Sequence, residues 1–226
     1  LQAPKEVIHL ETYMRSIFLT LAAVFLTCGL ATADQAPNYV LIFCDDLGYG
    51  DLGCYGSTKN RTPHIDSLAN EGMKFTDFYS SSPVCTPSRA SLLTGCYPRR
   101  IGMHEDFTGH WVLIPRSRRG LNPEETTVAE ALKTKGYSTG HFGKWHVGGF
   151  DAETAGEHVM PPWNAGFDEC FSTHNVIVTH DPSGKPGKGG IKACYWHNGR
   201  NIPLEEAQTD PTLRGDDAAI VMNKAI

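Results

Sequence analysis

Three short clusters along this 226-residue chain carry side chains that could act together on an anionic substrate. The first holds paired carboxylates, which are the oxygen ligands that a hard cation such as calcium prefers. The second combines a nucleophilic sulfur with a guanidinium group, and the third combines an ammonium group with an imidazole that exchanges protons near neutral pH. Each cluster alone is equally compatible with a surface turn, a structural cysteine or a solvated charge. In chain order the clusters are Asp45-Asp46, Cys85-Thr86-Pro87-Ser88-Arg89 and Gly143-Lys144-Trp145-His146.

Alternating strands and helices are predicted to position these clusters. Tyr39–Phe43 is a short apolar run, typical of a strand buried on both faces of a parallel sheet, and it ends at the carboxylate pair. A helix after Pro87 would bring the positive end of its dipole close to Cys85, where an anion is favoured. The alternation indicates an α/β fold with a mostly parallel sheet flanked by helices.

The remaining predicted elements follow from cap, turn and periodicity signals. In the first half of the chain they are a helix from Pro63 to Gly72, a strand at Met73–Tyr79 and a helix over Ser88–Thr94. In the second half they are a helix that opens at Asn122-Pro123 and buries Val128, Ala131 and Leu132, a strand at Tyr137–Phe142, a surface loop over 182–190, a hairpin over Tyr195–Ile202 with its turn at Asn198-Gly199, and a helix from Asp216.

The first residues have the layout of an exported protein. Residues 14–33 combine a basic start, an apolar stretch from Ile17 to Leu30 and a small-residue end, which are the three parts of a secretory signal peptide. The apolar stretch is shorter than the ~20 residues that a membrane anchor needs, so a signal peptide is favoured over an anchor. Residues 1–13 are interpreted as an upstream extension foreign to the protein, which leaves 34–226 as the folded domain. We expect a periplasmic or extracellular protein, or a lumenal one in a eukaryote, with no membrane attachment after cleavage.

Composition narrows the partners further. Acidic residues outnumber basic ones by 25 to 20, and no run of Lys or Arg is interleaved with aromatic residues, so a nucleic-acid partner is not expected. In an oxidising compartment some of the remaining cysteines could pair, and their odd number leaves at least one free thiol. These cysteines are Cys44, Cys54, Cys96, Cys170 and Cys194.

The segment around Cys85 resembles the signature of the type I sulfatase family. Its Cys-x-Pro-x-Arg motif is matched at every defining position, and the match continues through Leu93-Thr94-Gly95. The segment from Gly143 to Gly148 resembles the family's Gly-Lys-Trp-His-Leu-Gly, with only Val147 replacing leucine. The resemblance runs from about Asn38 to the C-terminus. It implies an alkaline-phosphatase-like fold, truncated here before its C-terminal part.

This resemblance implies a sulfuric ester hydrolase that depends on formylglycine and calcium. In the family, a formylglycine-generating enzyme oxidises the motif cysteine, and the hydrated aldehyde attacks sulfur to give a covalent sulfated enzyme. The second hydroxyl then loses its proton and expels sulfate. The implied substrate is a sulfated small molecule or a sulfated polysaccharide. The resemblance assigns Arg89 to holding the diol, His146 to acting as the base, Lys144 to pairing with diol or sulfate oxygens, and Asp45, Asp46 and the modified Cys85 to ligating calcium.

The chain also departs from the family pattern. Family members carry a further Asp-Asn calcium pair, a second lysine and a sulfate-binding histidine in a C-terminal portion, and none of His174, His180 and His197 lies in the matching context. Because calcium affinity follows ligand count and charge, we expect little turnover from the 226-residue chain itself. Two other interpretations stay open. A phosphatase or phosphodiesterase of the same superfamily would use Ser or Thr as its nucleophile, and a non-catalytic secreted binding protein would keep Cys85 unmodified.

Overall fold

A four-stranded mixed sheet organises the part of the chain that carries the second and third clusters. Strand β1 (Gly140–Lys144) pairs in parallel with β2 (Glu169–Thr173), which pairs antiparallel with β3 (Tyr195–His197), and β3 pairs antiparallel with β4 (Arg200–Asn201). The predicted α/β architecture is confirmed, and the described sheet is mixed because only β1 and β2 run parallel. The register places Lys144 opposite Thr173, at the carboxyl end of both parallel strands.

This computed structural model describes residues 36–106, 108–113, 119–150, 160–174 and 195–226. The predicted upstream extension, the signal peptide and the loop over 182–190 lie outside these residues. The chain divides into two compact units, Leu1–Leu47 and Gly48–Ile226. Within the described ranges, no helix is both long and apolar enough to cross a bilayer.

Five α-helices are assigned in the described residues. Short 3₁₀ turns lie at Tyr49–Asp51, Gly53–Tyr55, Pro162–Asn164 and Pro211–Leu213. The α-helices are α1 (Pro63–Glu71), α2 (Cys85–Thr94), α3 (Val128–Lys133), α4 (Leu204–Thr209) and α5 (Asp217–Ala225).

Two apolar clusters stabilise the second unit. One lies between β2 and β3 and the helices α4 and α5, and Phe171 and Tyr195 stack within it with ring centroids 4.7 Å apart. The other surrounds the end of β1 and includes Trp145, Val147 and Ala90 of α2. The apolar cluster around Trp145 therefore packs the helix that begins at Cys85 against the strand that ends at Lys144.

Local turn and cap signals in the last part of the chain are confirmed. Asn198 and Gly199 both have positive φ, 46° and 87°, which is the geometry that an Asn-Gly hairpin turn adopts. Asp216 caps α5, because its carboxylate accepts hydrogen bonds from the backbone N–H groups of Ala218 and Ala219. The helix from Pro63 is also confirmed, and it stops at Gly72.

Two predicted strands are wrong. Neither Tyr39–Phe43 nor Met73–Tyr79 forms a strand, and the side chains of Tyr39–Phe43 are 40% to 88% exposed. Met73, Phe75, Phe78 and Tyr79 are exposed as well. An apolar run records which side chains could be buried, whereas a strand also requires a neighbour that takes its backbone hydrogen bonds.

Three predicted boundaries shift. Helix α2 begins at Cys85 and not at Ser88, because a proline within the first turn costs no intrahelical hydrogen bond. Helix α3 begins at Val128 and not at Asn122, because Thr127 and Glu130 form a reciprocal capping box there. Its predicted buried stripe is wrong: Val128 and Ala131 are exposed, Leu132 is half-buried, and Ala129 is the buried residue. Strand β1 begins at Gly140, three residues later than predicted.

Replacing Asp217 with Asn should stabilise the protein at neutral pH. Asp217 is only 1% exposed and accepts a hydrogen bond from the Tyr195 hydroxyl, and burial raises the pKa of its carboxyl to about 6. The folded state therefore bears the cost of a buried charge above pH 6, and this cost disappears once the carboxyl is protonated in both states, below about pH 4. We expect Asp217→Asn to raise the free energy of unfolding by about 1–3 kcal/mol at pH 7.5 and to have little effect near pH 4.

Urea denaturation at the two pH values measures this difference. Asp216→Asn is the matched control, because Asp216 is exposed and asparagine is as good a helix cap. Equal stability of Asp217→Asn and the wild type at pH 7.5 would contradict the prediction.

Candidate functional site

Cys85 is the first residue of α2, where the helix leaves backbone N–H groups without intrahelical partners. Val84 before it is extended, with φ of −130°, and its carbonyl accepts the first helical hydrogen bond from Ser88 at 3.3 Å. The free N–H groups and the positive end of the helix dipole favour an anion beside the Cys85 side chain. The helix is closed by Gly95 in a left-handed conformation, with φ of 68°.

Lys144 reaches Cys85 from the end of β1. Its Nζ donates to the Cys85 Sγ at 3.2 Å, although the two residues are 59 positions apart in the chain. Arg89, one turn into α2, donates from Nη1 to the backbone carbonyl of Lys144 at 2.7 Å. Both basic side chains are buried, at 7% and 8% exposure, so their charges act in a poorly solvated environment. The structure thus brings three of the predicted catalytic residues together.

His146 completes this group through a turn that follows β1. Its N–H donates to the carbonyl of His174 at 2.7 Å, and its backbone has φ of 60°, an uncommon conformation for a residue with a side chain. The ring is buried and contacts the carbonyl of Leu113 through Nε2 at 2.6 Å. A carbonyl only accepts, so Nε2 carries the proton, and Nδ1 of the neutral ring keeps a lone pair. No described residue forms a hydrogen bond with Nδ1.

The electrostatics keep this imidazole neutral. Burial is the largest influence, and together with the nearby charges of Lys144 and Arg89 it lowers the pKa of His146 to about 4. The hydrogen bond to Leu113 acts in the opposite direction but is too weak to compensate. His146 is therefore available as a proton acceptor throughout the mildly acidic and neutral range.

Thr86, to which the sequence pattern assigned no role, joins three segments of the site. Its hydroxyl donates to the carbonyl of His146 at 2.9 Å and accepts from the N–H of Leu113 at 3.0 Å. Thr86 is 2% exposed, so both bonds are buried. Thr86 is one of the variable positions of the Cys-x-Pro-x-Arg motif, and the only available signal was its place directly after Cys85 in the first turn of a helix.

The carboxylate pair lies in the first compact unit. Asp45 and Asp46 are exposed, and Asp46 has φ of 57°, a left-handed conformation that aspartate tolerates better than most residues. Among the residues that the structure describes, no three His, Cys, Asp or Glu side chains form a cluster suited to a metal ion. The chemistry of the pair fits a hard cation, although two carboxylates fall short of the roughly six to eight oxygens that calcium takes.

Disulfide pairing is not found among the described cysteines. Cys170 is buried, and desolvation raises the pKa of its thiol to about 12, so it is inert. Cys194 lies outside the described residues. The free thiols are those of Cys44, Cys54, Cys85, Cys96 and Cys170.

Comparison with known proteins gives a consistent result. The family profile described as Sulfatase matches residues 37–201. Human (Homo sapiens) arylsulfatase A is 57% identical over 134 residues, which cover 59% of this chain and 24% of that protein. Rat (Rattus norvegicus) steryl-sulfatase is 44% identical over 173 residues, which cover 76% of this chain and 29% of that protein. The chain thus spans 24% and 29% of the lengths of these two relatives.

A solved structure supports the same relationship at the level of the fold. The crystal structure of Ps i-CgsB matches this chain with a TM-score of 0.62 and 34% sequence identity. The matched region covers 75% of this chain and 38% of the Ps i-CgsB chain. The same protein has also been solved in complex with k-i-k-neocarrahexaose.

Replacing Thr86 with Val should destabilise the site. Valine keeps the shape of threonine but leaves the carbonyl of His146 and the N–H of Leu113 buried without this partner, which costs about 2–4 kcal/mol. Thr86→Ser keeps the hydroxyl and should lose no more than about 1 kcal/mol. Urea denaturation of both variants checks the prediction, and equal losses would show that the hydroxyl contributes nothing.

Proposed function

The chain belongs to the sulfatase family, and we propose that this protein hydrolyses sulfate monoesters at the site formed by Cys85, Arg89, Lys144 and His146. The observation that carries the proposal is the contact between the Lys144 ammonium and the Cys85 sulfur at the N-terminus of α2. A sulfate ester is an anion, and this position offers it a positive charge and free backbone N–H groups together.

Residue 85 is the proposed nucleophile after oxidation of its thiol to formylglycine by a formylglycine-generating enzyme. The modified residue would supply a hydrated aldehyde with two hydroxyl groups: one would attack sulfur and displace the alcohol, and the second would then lose its proton and expel sulfate, a step that a serine or cysteine ester does not offer. The surrounding residues then have two tasks. They hold negative charge beside residue 85, and they move a proton.

Lys144 and Arg89 are proposed to hold the negative charge. The ammonium already contacts the side-chain atom of residue 85, so it is placed to pair with an oxygen at that position. Arg89 is fixed by its bond to the Lys144 carbonyl and adds a second, poorly solvated positive charge one helical turn away. Because both groups are fixed before substrate arrives, little reorganisation is required when charge develops.

His146 is proposed to be the base that takes the proton. Its Nε2 hydrogen is committed to Leu113, so the ring can only accept a proton at Nδ1. The low pKa keeps Nδ1 unprotonated at the pH of a periplasm, an extracellular medium or an acidic lumen. A neutral base can receive the hydroxyl proton of residue 85 as sulfate is expelled.

Asp45 and Asp46 are proposed to ligate a calcium ion through their carboxylate oxygens. Such an ion would neutralise negative charge on the substrate and orient it. The proposal rests on the donor chemistry of the pair and on the family of the chain. Two aspartates supply fewer oxygens than the roughly six to eight that calcium takes, so we expect the 226-residue polypeptide to bind calcium weakly and to turn over slowly. Comparison with purified arylsulfatase A at matched concentration measures the difference.

The substrate is proposed to be a sulfated small molecule or a sulfated polysaccharide. Arylsulfatase and steryl-sulfatase relatives favour the first class, and the related Ps i-CgsB, solved with k-i-k-neocarrahexaose, favours the second. Export with a cleaved signal peptide would give the protein access to either class. A phosphate monoester is a weaker candidate, because Cys85 stands where a phosphatase of this superfamily would have Ser or Thr.

Mass spectrometry of the peptide over 75–89 tests the nucleophile. In a host that contains the maturation enzyme, we expect this peptide to lose one sulfur and two hydrogens and to gain one oxygen. Cys96 lies on the adjacent tryptic peptide and serves as the internal control, because it should remain a thiol. An unmodified Cys85, in a host that converts a known sulfatase, would favour the non-catalytic binding protein.

The pH dependence of hydrolysis tests the base. With a saturating fluorogenic aryl sulfate and the matured protein, we expect kcat, which includes the expulsion of sulfate, to hold constant as pH falls from 7 to 5 and to drop as pH passes about 4, where His146 becomes protonated. A solvent-exposed histidine would place this loss near pH 6.5. Cys85→Ala should abolish turnover at every pH. An acid limb near pH 6.5 in the wild type would contradict the role given to His146.

A further inference from the structure

We propose that His141, held by Ser172, is a positioning residue that fixes the Lys144 peptide and so presents Lys144 and Arg89 to residue 85. Neither residue belongs to the three sequence clusters. The inference rests on the proposed function for its link to catalysis, but its structural part can be tested without turnover.

The carbonyl of Lys144 is a junction between three elements. It accepts a hydrogen bond from Arg89 Nη1 of α2 at 2.7 Å. The His141 imidazole, on the same strand, also forms a hydrogen bond with the backbone of Lys144. A carbonyl oxygen has two lone pairs, so these two donors saturate it. The peptide that precedes Trp145 is thereby held from both sides, and the Lys144 side chain starts from a fixed point.

The orientation of the His141 ring is itself determined. Its Nδ1 lies 2.7 Å from the hydroxyl of Ser172, which is fully buried on β2. The parallel register places both residues on one face of the sheet, because His141 pairs with Cys170 and Ser172 lies two positions further along the strand. The hydroxyl donates to Nδ1, which leaves Nε2 as the donor to the Lys144 carbonyl.

Aromatic packing holds the ring in place. Trp145 contacts it edge-on with a centroid distance of 5.1 Å, and Phe167 contacts it at 5.4 Å. Burial, followed by the charge of Arg89, lowers the pKa of His141 to about 4. The ring is therefore neutral at working pH, because a buried imidazole beside the positive charge of Arg89 resists protonation. A neutral imidazole with one N–H and one lone pair is the form that both hydrogen bonds require.

Four proteins separate this positioning role from simple packing. His141→Leu fills a similar volume without either hydrogen bond. In His141→Gln, the side-chain amide N–H lies near the position of the imidazole Nε2, so it can still donate to the Lys144 carbonyl. In His141→Asn, the amide lies near the position of Nδ1, so it can reach only Ser172. We expect Leu and Asn to lower kcat for the aryl sulfate roughly tenfold with KM little changed, and Gln to recover most of the loss.

The structural readout is the acetylation rate of the Lys144 amine, followed by mass spectrometry with exposed Lys135 as the internal reference. Lys144 is buried in the wild type, so it should react slowly there and in His141→Gln, and roughly tenfold faster in His141→Leu and His141→Asn. This measurement uses the unmatured full chain and needs no turnover.

The outcomes separate the two proposals. The expected labelling pattern without any hydrolysis by the matured wild type would overturn the proposed function and leave the positioning role standing. If the Lys144 amine of His141→Leu were acetylated at the same rate as in the wild type, the positioning role would be overturned, whatever the activity of the variant. Equal impairment of Gln and Leu would also overturn it, because packing alone would then account for the effect.

Discussion

The hydrogen bond from Arg89 to the Lys144 carbonyl is the contact on which the site depends. It joins α2, one turn after the helix begins, to the last residue of β1, so the N-terminal half of a helix is tied to the end of a strand. The Lys144 ammonium then extends from this junction to Cys85. Thr86 makes a second bridge, from the first turn of the same helix to the carbonyl of His146. Two side chain–backbone hydrogen bonds therefore hold together the helix and the strand end that carry the proposed reactive groups.

Concentrated positive charge imposes the second constraint. Arg89 and Lys144 are both buried, and a buried cation is tolerated only when it is hydrogen-bonded and when its neighbours do not add charge. The two histidines near them are accordingly neutral, each with a pKa lowered to about 4. Such a site is positive before substrate arrives, which suits an anionic ester. It also retains a neutral base.

Backbone conformation explains residues of the third cluster that have no chemical role. Gly143 has φ of 106°, a conformation that favours glycine, and a side chain there would approach Val221 of α5 at 3.6 Å. Trp145 donates its indole N–H to the carbonyl of Met160 and packs in the cluster beneath the site. The glycine and the tryptophan thus shape and support the turn that carries Lys144 and His146, the residues for which a chemical role is proposed.

The amino-acid sequence was enough to propose the reactive groups, to predict the α/β class and to place the elements encoded by short-range signals. Cys85, Arg89, Lys144 and His146 could be proposed because the motifs around them resemble those of the sulfatase family, and the Asn198-Gly199 turn and the Asp216 cap could be placed because both act within a few residues. Which groups meet depends on the folded chain. The contacts of Lys144 with Cys85 and of Thr86 with His146 and Leu113 span 27 to 60 positions, and no local pattern specifies them. For the same reason, the apolar run Tyr39–Phe43 could not reveal that it forms no strand, since strand formation depends on a distant partner and not on the run itself.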